Sequence, residues 1–293
     1  MTKWVCEQDL SKYEMRRIES SPSFVPAWAK CDEIGLMEVT ISQPVRDCFT
    51  GKYLGREYFD YYPRDFLMPG ETNFGPEQAL TWGGAFYDEG MAYCQKDMYE
   101  IRHGCFRSAE LLYLHAAIER DWQGSKIAFK CLGYVYEYDR TNGNLWPLWM
   151  EKIPKSYHKV LRLTDRNKRA FECYKIAMEK GDVEATYKFG DMYKKGIGCQ
   201  VDLKKAYDYY SKAYEQSQSE SPVVFGSAAL RLAQSYERGE GCKINLNKAL
   251  DFYERALYGL EVARNDTSFY EKPLSICRKG LTRVNQELLL AKV

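Results

Sequence analysis

Small and apolar residues recur at intervals of three or four along the last third of the chain. The clearest examples form two sets of three: Ala185, Phe189 and Tyr193, followed by Ala206, Tyr210 and Ala213. This interval places side chains on one face of an α-helix. The pattern therefore predicts two amphipathic helices in succession, joined by a short turn.

The same two-helix pattern returns 43 residues later. Eight positions correspond: Ala185, Gly190, Tyr193, Gly196, Gly198, Ala206, Tyr210 and Ala213 align with Ala228, Ala233, Tyr236, Gly239, Gly241, Ala249, Tyr253 and Ala256. Two less regular copies precede these: Leu132, Gly133 and Tyr136 with Ala170, Tyr174 and Ala177, and Gly84, Tyr87 and Gly90 with Ala109, Tyr113 and Ala116. A fixed period of this length is typical of stacked helical repeats.

The turn between the two helices has its own recurring residues. Gly196 and Gly198 follow the first helix, where a left-handed backbone conformation favours glycine. Asp202 and its equivalent Asn245 come four residues before the first small residue of the second helix. Short acceptor side chains at this place cap the exposed N–H groups of a helix. The sequence therefore predicts where each first helix ends and each second helix begins.

These features together resemble the Sel-one-like repeat (SLR) family, close kin of the tetratricopeptide repeats. The resemblance is carried by two segments, FGDMYKKGIGCQVDLKKAYDYYSKA and LAQSYERGEGCKINLNKALDFYERA. It implies an all-α fold, a right-handed α-α superhelix (solenoid) of about four antiparallel helix pairs with helical caps. It also implies an inner surface that binds proteins or peptides.

We divide the chain into three regions on this basis. Residues 1–75 are an N-terminal capping or unassigned helical region, residues 76–260 contain the repeats, and residues 261–293 form a C-terminal capping helix. The repeats span about 77–121, 126–180, 183–215 and 226–258. An insertion at 139–164 interrupts the second repeat; it contains two tryptophans and either folds onto the repeats or serves as a contact element.

The regions outside the repeats also contain helical patterns. Residues 1–20 and 26–38 each predict a helix, and the aromatic segment 53–66 is either a peptide-binding patch or a surface that packs on the first repeat. At the other end, residues 274–290 predict a last helix. Its apolar side would contain Ile276, Leu281, Val284 and Leu288.

Charge and apolar content narrow the choice of partner and location. Lysine and arginine number 42 against 41 aspartates and glutamates, so the chain lacks the basic excess expected of a nucleic-acid-binding protein. The first 22 residues lack the apolar core of a signal peptide, and no stretch approaches the roughly 20 apolar residues of a membrane span. We expect a cytoplasmic protein without a nucleic-acid or membrane partner, although export without a signal peptide stays open.

The cysteines do not predict disulfides or a metal site. Ten cysteines include no C-x-x-C pair, which favours reduced thiols. In the SLR family, which this sequence resembles, secreted cysteine-rich members join the two helices of each repeat by a disulfide. Here Cys199 and Cys242 lie in the turns instead. We expect both to be buried thiols.

Catalytic signatures are missing from the sequence. It contains no G-x-S-x-G elbow, no H-E-x-x-H pair and no phosphate-binding glycine loop, and only three histidines. We therefore expect no enzyme, no cofactor and no metal. The alternative is an effector or enzyme whose active part lies within residues 1–75, with the repeats as its platform.

The non-core positions of each first helix predict a binding surface. In repeat order they are Trp82; Tyr134 and Tyr138; Lys188, Asp191 and Lys195; and Arg231, Gln234 and Arg238. Such a surface suits a peptide with an acidic end and an apolar end, since arginine and aromatic residues are common interface anchors. Alternatively, the lysines are simply solvated and the aromatic residues pack on inserted loops. We expect a protein-binding scaffold or adaptor, and leave the partner's identity and the oligomeric state open.

Overall fold

The structure, a computed structural model, describes eight ranges of the chain. These are residues 41–46, 53–59, 75–92, 99–118, 122–141, 165–217, 221–264 and 270–291. The chain divides into two compact units, Met1–Arg169 and Ala170–Val293. Each unit is described by itself.

The N-terminal unit begins with a β-hairpin. Strand β1, Ile41–Arg46, pairs antiparallel with strand β2, Tyr53–Phe59, and Ile41 lies opposite Phe59. The hairpin differs from the helical or unassigned region expected for residues 1–75. Its aromatic and β-branched residues favour extended backbone, but strand pairing depends on both segments together and is not visible in either one alone. The helices predicted within residues 1–20 and 26–38, and the insertion beyond residue 141, lie outside the described residues.

Three helices follow in the same unit: α1 (Pro76–Ala92), α2 (Tyr99–Ala117) and α3 (Ser125–Glu137). Helices α1 and α2 run antiparallel, because Gly83 lies against the Tyr113 ring and Gly90 lies against the Phe106 ring. The buried hydroxyl of Tyr136 in α3 donates a hydrogen bond of 2.8 Å to Glu110 Oε1 in α2. The predicted first repeat is thus an antiparallel helix pair.

Helix α4 (Arg166–Glu179) crosses the boundary between the units, and five further helices lie in the C-terminal unit. These are α5 (Val183–Lys195), α6 (Leu203–Ser217), α7 (Pro222–Arg238), α8 (Leu246–Arg264) and α9 (Glu271–Leu290). Helices are therefore present at the positions of all four predicted pairs, and α1 packs with α2, α5 with α6, and α7 with α8. The prediction of an all-α repeat fold is confirmed, with the hairpin as an addition to it.

Ring contacts show that consecutive helices of the C-terminal unit also run antiparallel. The start of α7 meets the end of α8, where Pro222 lies against Gly259. The end of α7 meets the start of α8, where the rings of Tyr236 and Phe252 stack 5.6 Å apart. Tyr236 also contacts Tyr207 of α6, at 5.7 Å between ring centroids. The repeated tyrosines thus fill the space between helices.

The turns have the backbone conformations that the sequence predicts. Gly196 and Gly239 end α5 and α7 in the left-handed region, with φ of 70° and 71°. Asp202 Oδ1 accepts a hydrogen bond from the Lys205 N–H at 2.9 Å, and Asn245 Oδ1 accepts one from the Lys248 N–H at 3.0 Å. Both predicted caps are confirmed.

Helix α9 begins three residues before the predicted Leu274. Its buried residues are Leu274, Cys277, Gly280 and Val284. Ile276 was expected on this side, but it is 36% exposed. One residue along a helix turns the side chain by about 100°, so Ile276 points away from the face that Cys277 buries.

Candidate partner-binding surface

The predicted contact residues of the N-terminal unit differ in their burial. Trp82 is 4% exposed and belongs to the core of α1. Tyr138 is 45% exposed, and its ring stacks on that of the half-buried Tyr134 with centroids 6.0 Å apart. The guanidinium of Arg140 lies 5.6 Å from the Tyr138 ring centroid. Tyr138, with Tyr134 beside it, is therefore the accessible part of this predicted set.

In the C-terminal unit, two predicted contact residues bind each other. Asp191 of α5 accepts hydrogen bonds from the Arg231 guanidinium of α7, at 2.7 Å from Nε and 2.5 Å from the terminal nitrogen. The Tyr210 hydroxyl donates to the same carboxylate at 2.9 Å, and the guanidinium lies 4.3 Å from the Tyr187 ring centroid. The side chains of Asp191 and Arg231 are 7% and 21% exposed. This group joins two successive repeats and leaves little of Asp191 for a partner.

The charges of this group stabilise each other. Burial opposes ionisation of Asp191, but the charge and hydrogen bonds of Arg231, with the nearby charges of Lys188 and Lys195, hold the pKa of Asp191 below its ordinary value. Burial likewise disfavours charge on Arg231, yet Asp191 raises the pKa of Arg231. Burial also raises the pKa of Tyr210, and the neighbouring carboxylate adds to this. At neutral pH the group therefore consists of an uncharged Tyr210 beside the ion pair of Asp191 and Arg231.

A second group of the same kind joins α7, α8 and α9. The Tyr253 hydroxyl donates to Glu237 Oε2 at 2.8 Å. Arg283 of α9 donates to both oxygens of Glu237, at 2.6 Å and 2.9 Å. The Glu237 side chain is 6% exposed, whereas that of Arg283 is 46% exposed.

Neither Glu237 nor Arg283 is among the predicted site residues. The sequence does contain a signal for them, because Tyr210 and Tyr253 occupy the same repeat position and a buried hydroxyl needs a hydrogen-bond partner. The repeat position therefore predicts a hydrogen-bond acceptor near each tyrosine hydroxyl. It does not say which residue supplies the acceptor.

The remaining predicted residues lie nearer the surface, with one exception. Lys195 and Arg238 are exposed and Gln234 is half-buried, but Lys188 is only 6% exposed. Arg238 lies 3.9 Å from Glu237 and 3.8 Å from Glu240. The C-terminal ends of α5 and α7 therefore present Lys195, Gln234 and Arg238 to solvent.

The two turn cysteines are free thiols. Cys199 and Cys242 are half-buried, more accessible than the buried thiols expected from the sequence. Burial raises the pKa of both, so both thiols are protonated at neutral pH. The Cys199 Sγ donates to the Met192 carbonyl at 3.6 Å.

The eight described ranges contain neither a cluster suited to a metal ion nor a membrane-spanning helix. No group of three or more histidine, cysteine, aspartate or glutamate side chains there is arranged to hold a metal ion. None of the helices in those ranges is long and apolar enough to cross a membrane. The expected cytoplasmic location stays a prediction.

Comparison with known proteins agrees with the last two predicted repeats and with the end of the second. A family model of the Sel1 repeat matches residues 162–182, 183–218 and 226–259. The first match covers α4, and the other two cover most of the two regular helix pairs. These three segments are Sel1 repeats. Sel1 repeats generally mediate protein–protein interactions, and the proteins that carry them are in general non-enzymatic scaffolds.

Individual relatives are similar over part of the chain or at low identity. An uncharacterized Sel1-like repeat-containing protein of Schizosaccharomyces pombe is 49% identical over 51 residues, which are 17% of this chain and 8% of that protein. The crystal structure of a Sel1 repeat protein from Oxalobacter formigenes is 20% identical, with a TM-score of 0.38, over 72% of this chain and 78% of that one.

A second crystal structure is similar at about the same level. It is that of c5321, a protective antigen of uropathogenic Escherichia coli strains with an SLR fold. It is 17% identical to this chain, with a TM-score of 0.33, over 72% of this chain and 46% of that one.

Proposed function

We propose that this Sel1-like repeat protein binds a protein or peptide partner on the surface formed by the first helices α5 and α7. This is the surface that the family's fold makes the concave groove. Lys195, Gln234 and Arg238 would touch the partner. The proposed role is that of a scaffold or adaptor, without catalysis.

One observation carries the proposal: near the C-terminal ends of α5 and α7 the carboxylates of Asp191 and Glu237 are buried, while Lys195 and Arg238 are exposed. Glu237 is 6% exposed beneath Arg238, which is 52% exposed. Asp191 is likewise buried by Arg231. A partner that approaches α5 and α7 therefore contacts exposed nitrogen donors. The buried carboxylates hold the neighbouring cationic groups in position.

The buried members of the predicted site have a supporting role in this proposal. Asp191 and Arg231 link α5 to α7, so the contact residues on the two helices keep a defined separation. Lys188, being almost fully buried, would support the surface without reaching the partner. In the N-terminal unit, Tyr134 and Tyr138 would contact an apolar segment, and the buried Trp82 would support α1.

The test starts from partners co-purified with the full chain and identified by mass spectrometry. Binding of a recovered partner is then measured by biolayer interferometry against a triple variant, Lys195→Ala, Gln234→Ala and Arg238→Ala. We expect the affinity to fall about tenfold or more, which is the loss of one or two good interface contacts.

A matched control changes two cations and a glutamine elsewhere in the C-terminal unit. Lys180, Lys212 and Gln216 are exposed and lie outside the α5–α7 surface, so their triple alanine variant should bind within about twofold of the unchanged chain. Equal losses in both variants, or no loss in the first, would exclude the proposed surface. Circular dichroism at the binding temperature shows that each variant is folded.

A further inference from the structure

The exposed side of α9 is a basic surface of its own. A shallow depression on this side is lined by Arg278, Lys279, Thr282, Arg283 and Gln286. Three of these residues are cations and none is a carboxylate. The opposite side of α9 seals the last repeat, as the sequence predicts for a C-terminal cap. Sealing accounts for the buried side, but it does not require cations on the exposed one.

The α9 surface continues into the α7 end of the proposed binding surface. Arg283 lies against Glu237 through two hydrogen bonds, and Arg238 lies 3.9 Å from the same carboxylate. The two guanidinium groups are thus neighbours. Lys194 extends this row, because its ammonium lies 2.6 Å from Glu240, which Arg238 also approaches.

The row has more cations than anions, and its anions are mostly deeper. Its cations are Lys194, Arg238, Arg278, Lys279 and Arg283, and the carboxylates paired with them are Glu237, Glu240 and Glu261. Glu237 and Glu240 are 6% and 21% exposed, whereas Arg238 and Arg283 are 52% and 46% exposed. Lys194, at 23%, is buried about as deeply as its partner Glu240. Glu261 is the exception, since it is 48% exposed beside Arg278. Solvent therefore meets an excess of positive charge.

We propose that α9 is part of the binding surface and that its occupant is an acidic peptide segment of the partner. Aspartate or glutamate side chains of that segment would pair with Arg238, Arg278, Lys279 and Arg283. This inference rests on the proposed protein-binding function; it adds α9 as a contact helix and assigns the acidic part of the partner to it. Guanidinium groups suit carboxylates because their planar N–H groups donate to both oxygens, as Arg283 already does with Glu237.

The charge of the whole chain favours a short acidic segment over a nucleic acid. With 42 basic and 41 acidic residues, the net charge is +1. An extended polyanion gains its affinity from many phosphate contacts along a broad basic surface. A local row of cations on an otherwise balanced chain suits a few carboxylates instead.

The test measures fluorescence anisotropy with the full chain and three labelled probes. These are a short peptide of alternating glutamate and serine, the same peptide with glutamine for glutamate, and a single-stranded oligothymidylate. The glutamate peptide should bind about tenfold or more tightly than the glutamine peptide, and added salt should weaken it. The oligothymidylate should bind more weakly than the glutamate peptide.

A double variant, Arg278→Gln with Lys279→Gln, locates the site. It should weaken binding of the glutamate peptide about threefold or more, the effect of losing two exposed ion pairs. The matched control, Lys180→Gln with Lys212→Gln, removes the same charge from exposed sites elsewhere and should leave binding unchanged within about twofold. Thermal melts of both variants show that neither change unfolds the chain.

Three outcomes of the anisotropy measurements would overturn the inference. They are equal affinity for the glutamate and glutamine peptides, equal losses in the two double variants, and oligothymidylate binding as tight as that of the glutamate peptide. A natural partner that is lost on changing Lys195, Gln234 and Arg238, but binds the Arg278 and Lys279 variant normally, would also overturn it. That last result would leave the proposed function standing.

Discussion

Replacing Gly241 by alanine tests whether the turn between α7 and α8 packs on the preceding repeat. Gly241 lies in the turn between α7 and α8 with φ of 77°. A Cβ atom added there would lie 2.1 Å from the Leu203 carbonyl oxygen and 2.8 Å from Tyr207 Cβ. Both neighbours belong to α6 of the preceding repeat. The new methyl group therefore collides with the backbone of another repeat, and only a shift of the turn relieves the collision.

The expected loss of stability has two parts. An alanine in the left-handed region costs about 1 to 2 kcal/mol. Forcing an extra carbon into a packed contact costs about 1 to 3 kcal/mol more. The free energy of unfolding of Gly241→Ala should therefore fall by about 2 to 5 kcal/mol.

Gly181 provides the matched control, since it also has a left-handed backbone, with φ of 86°, but no atom lies within 4 Å of its added Cβ. Gly181→Ala should lose only the conformational part, about 1 to 2 kcal/mol. Urea unfolding followed by far-ultraviolet circular dichroism measures both variants. If Gly241→Ala loses no more stability than Gly181→Ala, the turn does not pack on the preceding repeat as the structure shows.

Three further changes test other parts of the fold. Asp191→Asn should lower the free energy of unfolding by about 2 to 4 kcal/mol at pH 7, less than for a wholly buried pair because Arg231 keeps 21% of its side chain exposed. Because the pKa of Asp191 is lowered in the folded state, its ionised form contributes stability above the ordinary pKa of 3.8, and this contribution is lost as the pH falls further. The difference in free energy of unfolding between variant and parent, measured by urea titration, should therefore shrink from pH 7 to pH 3. A constant difference would contradict the pairing. Gly84→Ala in α1 should raise the free energy of unfolding by about 0.5 to 1 kcal/mol in the same assay, because its methyl group meets no atom within 4 Å and alanine favours helix. A loss of stability would mean that α1 is more closely packed there. Asn245→Ala removes the cap on the Lys248 N–H and should lower stability by about 0.5 to 2 kcal/mol, whereas Asn245→Asp should retain it; equal losses would show that the cap does not act.

The charge groups that join the repeats show where sequence reasoning reaches its limit. Asp191 and Arg231 occupy positions that appear equivalent to those of Lys195 and Arg238 when each helix is considered alone. Their different burial depends on the neighbouring repeat, because the Asp191 carboxylate binds a guanidinium 40 residues away. Arg283 engages Glu237 across 46 residues in the same way.

By itself, the sequence determined the helix pairs, the turn glycines and the caps at Asp202 and Asn245. These features depend on residues within a few positions of one another, so spacing and backbone preference are sufficient to predict them. Only the tertiary structure decided which polar side chains are buried, that residues 41–59 include a hairpin, and that Arg283 adjoins Arg238. Those outcomes depend on which surfaces meet across distant parts of the chain, and the burial free energy of a charge is set by what lies opposite it.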